Sequence, residues 1–402
     1  MLRMPQGEPS ETSPATTPPP VLWLFAFCNF VIGTGAFGLS GYLGPLSEGL
    51  NVSVSAAGQT MTAYALANAL IAPWIMWKTG IWSRQRLMLL ALGLFTLGAW
   101  LCALAPNFTT LMVGRVLMGI GAVFTPIAAG VAVAMVVPAQ RGKALSRTFL
   151  GMSLSYVMGM PLGAWLGLEF GWRWPLIMVG AFGLLMLVLV VRCVPKQVGG
   201  VSEGFSGLGG LLRQREVLLT LSLTLLYFCG IFAVSAYMGP IQLAMNPLTS
   251  AQLSWMLMAI GFGGVAGTLL GGWASDHVGP HRALRWLIHA LLVCMVLAPF
   301  TAGHPLLTVA IFTLWAVCGF GMMTPQQSRI AEMGGSQTPM LMSVNASMVY
   351  VGTAVGAALG GAVLPVTGFV HLPWMGALFV MASALTLLPR WSPKPPGPRP
   401  FP

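Results

Sequence analysis

The chain has 402 residues, 56% of them hydrophobic and only 7% charged, with a formal net charge of +11. That balance excludes a soluble globule, which would expose far more apolar surface than water tolerates, and points to a chain threaded through a lipid bilayer. The cations are spread over gaps and tails with no clustered, aromatic-interleaved face, which excludes a nucleic-acid partner.

Residues 1–20 are polar, rich in Pro, Ser and Thr, and include Glu8 and Glu11. They lack the basic start and apolar centre of a cleavable signal, so a disordered tail ahead of a retained membrane helix is expected. A hydrocarbon core of about 30 Å takes roughly 20 apolar residues of helix. Twelve such runs lie near residues 21–43, 53–76, 87–105, 109–136, 145–167, 175–194, 217–238, 251–273, 285–302, 306–325, 341–364 and 373–389. None alternates strictly, so helices rather than a barrel satisfy the backbone in lipid, and the predicted class is an all-α membrane protein. The longest gap, the glycine-rich linker 195–216, divides a six-helix bundle over 21–194 from a second over 217–390, and a Pro-rich tail follows at 391–402.

Of the 19 Lys and Arg, 17 fall in the tails and in every second gap, including Lys78, Arg84 and Arg86, Arg141, Lys143 and Arg147, Arg282 and Arg285, and Arg329. Loops rich in Lys and Arg stay on the cytoplasmic side, so both termini are expected there. The exceptions are Arg115, inside the fourth pass, and Arg173, in a gap on the opposite side.

The halves read as diverged copies, since Ser53 to Arg86 and Thr249 to Arg282 each give a polar start, a helix and a basic turn at an offset of 196. Such repeats are common in secondary transporters. Three passes carry small residues every fourth position: Gly151, Ser155, Gly159, Gly163 and Gly167; Gly263, Gly267 and Gly271; and Gly352, Gly356 and Gly360. Such faces let another backbone approach closely, either as fixed packing or as packing that opens and closes.

The gap after the eighth pass reads Gly272-Trp-Ala-Ser-Asp276-His-Val-Gly279-Pro-His-Arg282. It resembles the loop signature of the major facilitator superfamily, in which the acid latches neighbouring helix ends on the cytoplasmic side. In the first half, Met76, Gly80 and Ser83 stand at the corresponding places, so only the basic end is kept. Arg115, in Gly-Arg115-Val-Leu-Met-Gly119-Ile-Gly121, is similar to the family's motif for the fourth helix. An arginine at mid-span costs roughly 2.5–3.5 kcal/mol, so Arg115 either faces the central cavity or snorkels to headgroups.

Gly159-Met-Pro161-Leu-Gly163 in the fifth pass is similar to the motif of the superfamily's drug and metabolite antiporters. Its proline removes a backbone donor, which suits a hinge at the outer gate. Gly171-Trp172-Arg173, Gly33-Thr34, Val52-Ser53 and Pro106-Asn107-Phe108 add to a resemblance, over roughly residues 21–390, to arabinose-efflux-type permeases of the drug:proton antiporter branch. In many of those relatives the segment corresponding to Gly33–Phe37 holds a glutamate, whereas this chain has Ala36.

The resemblance places passes 1, 4, 7 and 10 around a cavity with 2, 5, 8 and 11 beside it. The polar and aromatic side chains expected to line it are Asn29, Tyr64, Asn68, Arg115, Tyr156, Tyr227, Tyr237, Trp315, Gln326, Asn345 and Tyr350, each of which could instead tie helices together. Gly159, Pro161, Gly163, Gly272, Asp276 and Gly279 are the expected gating positions. None of the eight acids falls near the midplane, and Arg115 is the single charge available, so a neutral or anionic ligand is favoured. His277 and His281 belong to the loop motif, His289 to an interface, and the six cysteines lack paired short spacings, so no disulfide, metal or cofactor is expected.

The expected protein is a monomeric, multi-pass transporter of a bacterial-type inner membrane that exports a small organic molecule by alternating access. Proton antiport is left open. An importer or facilitator on the same fold is the nearest alternative, and a membrane sensor is the alternative without transport. An enzyme would need a constellation of nucleophile, base or metal ligands that the chain does not show.

Overall fold

The computed structural model describes residues 20–78, 82–137, 140–195, 210 and 213–387. The terminal tails, most of the 195–216 linker, Gly80 and the side chain of Met76 lie outside the described residues.

The regular elements are helices, with no strand among the described residues. In the first half they are α1 (Val21–Phe37), α2 (Leu43–Leu50), α3 (Val54–Lys78), α4 (Arg84–Ala103), α5 (Phe108–Gly121), α6 (Phe124–Ala134), α7 (Arg141–Leu154), α8 (Met160–Glu169) and α9 (Arg173–Cys193). In the second half they are α10 (Arg215–Ser235), α11 (Met238–Met245), α12 (Ser250–Val278), α13 (Pro280–Leu297), α14 (Pro305–Gly321), α15 (Met323–Gly334) and α16 (Thr338–Leu385). Among the described residues, ten helical stretches are long and apolar enough to cross a membrane by length and composition.

The longest, α16, has 48 residues. As one rod it would reach about 72 Å, more than twice a bilayer's hydrocarbon thickness. It is two passes joined at Gly368, whose φ of 67° breaks the helix. Gly356 packs on the backbone of Cys229 and Gly376 on that of Gly230, so the chain climbs α10 and returns along it. Dividing α16 and counting α3 gives the twelve expected passes.

Breaks recur at equivalent points of the halves. The first pass is interrupted between α1 and α2 and the seventh between α10 and α11, and the fourth and tenth break between α5 and α6 and between α14 and α15. Helix starts match as well. The Ser53 hydroxyl accepts from the Ala56 N–H at 3.1 Å, and Thr249 forms a capping box with Gln252 at the equivalent start of α12. Several helices run beyond the apolar stretches read from sequence, α12 to Val278 and α15 to Gly334, because polar turns continue the helix past the lipid.

Each glycine ladder packs within one half. Gly151, Gly159 and Gly167 lie against Ala26, Thr34 and Tyr42; Gly263, Gly267 and Gly271 against Thr313, Val317 and Gly321; and Gly352, Gly356 and Gly360 against Leu225, Cys229 and Ala233. Partners advance in step, so each pair runs parallel with backbones nearly touching. Around the outside, Leu70, Trp255, Leu269, Phe300 and Leu306 are exposed, a surface that only lipid covers without penalty.

The halves meet where α3 lies on α16, where the α7–α8 pass crosses α12, and where the first pass meets the seventh. Several hydrogen bonds join them toward the face opposite the basic gaps, called the far face below. Ser55 donates to the Gly361 carbonyl at 2.5 Å, Thr62 to that of Ala354 at 3.3 Å, and Tyr237 to that of Ser55 at 3.4 Å. Ser250 donates to the Glu169 carboxylate, and Gly239 packs on the Gly41 carbonyl. The far face is therefore closed.

Candidate functional site: an aromatic joint between the halves

Pro161 has no N–H, so the Val157 carbonyl loses its helical donor and the preceding turn widens. The Met160 N–H reaches the Ser155 carbonyl, giving a π-helical turn over Ser155–Gly159. The irregularity falls near the middle of the pass rather than at its outer end, because a missing donor disturbs the turn before it. Gly159 packs against Thr34, and Gly163 sits beside Gly38 and Tyr42.

Tyr156 projects from this turn. Its ring stacks on Phe37 at 4.8 Å and 23°, and meets Phe320 edge-on at 4.9 Å and 60°. Phe37 in turn faces Phe232 at 6.1 Å, and Phe232 stacks with Phe228. These rings come from passes 1, 5, 7 and 10, so both halves build the cluster at one level. Gly261 of α12 packs directly on the backbone of Tyr156 and Val157. Phe37, Tyr156, Phe320 and Tyr350 keep partial exposure, and the described acids are all exposed away from the cluster. The site is aromatic, carries hydroxyls and has no negative charge.

Nine of the eleven expected cavity residues are buried, leaving Tyr156 and Tyr350 half-exposed. Their partners are other helices. In the first half Asn29 donates to the Thr148 carbonyl at 2.8 Å and accepts from Thr125 at 2.8 Å, tying passes 1, 4 and 5. In the second half Gln326 donates to Thr224 and to the Thr220 carbonyl, each at 2.8 Å, and Thr224 donates to Asn345 at 2.6 Å, tying passes 7, 10 and 11. The two knots occupy equivalent passes. Asn68 donates to the Gly119 carbonyl, Tyr227 to that of Cys318 and Tyr237 to that of Ala357, while the Trp315 indole N–H is buried without a partner among the described residues.

Arg115 is fully buried and does not snorkel. Its Nη1 donates to the Gly35 carbonyl at 2.7 Å, Nη2 to Ala36 at 3.0 Å and Nε to Thr60 at 3.2 Å, and the guanidinium lies 4.9 Å from the Tyr64 ring centre. Gly35 and Ala36 are in the last turn of α1, where carbonyls lack helical donors and the dipole is negative, so Arg115 caps the break in the first pass. Arg173 donates to the Ala105 carbonyl at 3.0 Å and lies over Trp172, which ties the start of α9 to the loop before α5.

At the basic face, α12 ends at Gly279, whose φ of 86° suits glycine, and α13 starts at Pro280. Gly272 touches little beyond Thr324. Asp276 is exposed and has no hydrogen bond or ion pair to a described residue, while its neighbour Ser275 is 3.3 Å from Ser328. Sequence reasoning missed Phe37, Phe232 and Phe320 because it searched for polar side chains; the i, i+4 pair Phe228 and Phe232 was the available signal. Among the described residues no three His, Cys, Asp or Glu side chains gather as a metal would require.

The profile of the Major Facilitator Superfamily matches residues 25–332 and 223–402. The inner membrane transport protein YdhP of Escherichia coli is 29% identical over 369 residues, covering 91% of this chain and 94% of that one. A probable sugar efflux transporter of Mannheimia succiniciproducens is 25% identical over 364 residues, with 90% and 91% covered. The crystal structure of a D-xylose-proton symporter superposes with a TM-score of 0.75 at 14% identity, covering 93% of this chain and 97% of that one, a likeness of fold. With twelve passes in two matched bundles and a profile match over nearly its whole length, the chain belongs to the major facilitator superfamily and is a membrane transporter, not an enzyme.

Proposed function

We propose that the protein exports a small uncharged or anionic organic molecule across the inner membrane, by rocking the two halves about the aromatic joint. The carrying observation is the contact of Tyr156 with Phe37 and Phe320, which both halves supply and no acid accompanies. Such rings favour a ligand with a flat or apolar face, and the tyrosine hydroxyls suit a ring bearing hydroxyl or carbonyl groups. Sugars and nucleosides fit, and the name of the Mannheimia relative agrees with the former.

Basic loops favour the cytoplasmic side, which supports a cytoplasmic location for both termini and the basic face. With the far face bonded shut and Asp276 unlatched, the arrangement corresponds to a state that loads from the cytoplasm. The protein acts as a monomer, since each half finds its partner within one chain. Cells preloaded with radiolabelled sugars and nucleosides test the reading, with accelerated efflux of at least one class expected over a deletion strain and equal efflux of every class rejecting it.

The second reading, a facilitator or importer without proton coupling, draws on the same absence of a membrane acid, since Arg115 bonds the Ala36 backbone and not a carboxylate. Flux measured with and without a proton gradient separates the two.

A further inference from the structure

Three phenols gather beside the aromatic joint. Ser55 of α3 bonds to Gly361 of α16 and Thr62 to Ala354, so residue numbers fall along α16 as they rise along α3, and Tyr64 and Tyr350 come to nearly the same level. The Tyr350 phenol is the ionisable group that acts most strongly on both the Tyr64 and the Tyr156 phenols. Tyr64 is buried, whereas Tyr156 and Tyr350 keep partial exposure, as do Phe37 and Phe320 around them. Protein surrounds both tyrosines on all sides, so that exposure is to the cleft and not to lipid. Neither hydroxyl has a hydrogen bond to a described residue, and neither is sealed off as a buried orphan. The fifth pass supplies one and the eleventh the other, so each half offers the cleft one free hydroxyl.

Charge is withheld from the same place. Arg115 is the one cation that the sequence puts at this depth, but its guanidinium is fully buried, covered on one face by the Tyr64 ring at 4.9 Å and committed to the Gly35, Ala36 and Thr60 carbonyls. The other described Lys and Arg stand at the basic face, apart from Arg173 on the far side. An anion entering the joint would give up its hydration and meet no counter-charge. A hydroxyl gives up far less, and recovers it from a phenol that both donates and accepts.

We propose that the cleft selects uncharged, hydroxyl-bearing solutes and rejects their anionic counterparts, with Tyr156 and Tyr350 each holding one solute hydroxyl. This rests on the transport reading above and narrows its solute from uncharged or anionic to uncharged. It also makes Tyr350 a specificity residue of the second half, facing Tyr156 of the first. A solute held by both hydroxyls bridges the two halves.

The test uses the purified full chain in lipid nanodiscs and probe pairs that differ by a charge: glucose and glucuronate, xylose and xylonate, uridine and uridine monophosphate. Thermal midpoints are titrated with each probe at equal ionic strength. The uncharged member of at least one pair should raise the midpoint by a few degrees, with its anionic partner about tenfold weaker or worse. Tyr156→Phe and Tyr350→Phe should each weaken that binding by about two- to tenfold, while the midpoint without ligand stays at the wild-type value. A deoxy analogue lacking the hydroxyl that Tyr350 holds should bind the wild type more weakly and lose nothing further in Tyr350→Phe, a pairing that a merely structural tyrosine would not give. Anionic members that bind as well as their partners, no binding by any uncharged member, or full affinity in both tyrosine variants would overturn the proposal. Efflux reports separately: an uncharged probe that binds but is not exported defeats the export reading alone, and an exported anion defeats this proposal alone.

Discussion

Arg115 donates to the backbone carbonyl of Ala36 at 3.0 Å, so the fourth pass closes the broken end of the first. The arginine therefore has a structural duty beside any role in transport. Arg115→Ala strands the Gly35 and Ala36 carbonyls at the end of α1, each worth about 1–3 kcal/mol when unsatisfied, whereas the Thr60 carbonyl stays paired inside α3. We expect a clear drop in thermal midpoint together with loss of flux. Arg115→Lys keeps the charge but lacks the planar fork, so it should recover part of the stability and little of the flux. A stable, inactive Arg115→Ala protein would show that the cap is dispensable.

The aromatic joint gives a different signature. Tyr156 and Phe320 make ring contacts of the kind worth about 0.5–1.5 kcal/mol each. Phe320→Ala should weaken apparent substrate affinity by roughly two- to tenfold, with the protein still inserted and folded. Tyr156→Phe keeps the ring and tests the hydroxyl alone. Unchanged KM in Phe320→Ala would place the ligand elsewhere.

The polar knots should respond in the opposite way. Gln326→Leu removes the donor shared by Thr224 and Thr220, and interhelical bonds of this type contribute about 1–2 kcal/mol or less in a membrane. Stability should fall modestly with KM unchanged. A change in KM without a change in stability would return Gln326 to the cavity.

Much of this fold is legible in the chain because lipid imposes it. The alternation of apolar runs with basic gaps marks the passes, and Ser53 and Thr249 mark equivalent helix starts. The passes that break were less legible, since the break between α1 and α2 depends on Arg115 arriving from another helix to cap it. The site was half-legible for a similar reason. A buried asparagine or glutamine in a membrane helix satisfies itself against whichever neighbour it meets, so Asn29 and Gln326 could belong to a cavity or a knot until their partners were known. Tyr156 was found as a polar aromatic, but its exposure comes from the turn that Pro161 widens. Phe37 and Phe320 carry no polar label and differ from core phenylalanines only in where the halves meet.

Glycines separate fixed packing from moving contact. Gly267 lies on the Val317 backbone within one half, whereas Gly261 lies on the Tyr156 backbone across the joint. Gly267→Val puts a branched side chain against a backbone that cannot yield, so loss of folded protein is expected. Gly261→Ala adds one methyl at a contact that can part, so the protein should fold while the far-face-closed state loses population. Cysteine pairs joining Ser55 to Gly361 would report that state by their yield of oxidative crosslinking. The yield should drop severalfold in Gly261→Ala and remain at the control level in Gly93→Ala, whose added methyl meets nothing within 4 Å. Equal yields in the two variants would mean that the α7–α8 and α12 crossing does not move, and the rocking motion would have to pivot elsewhere.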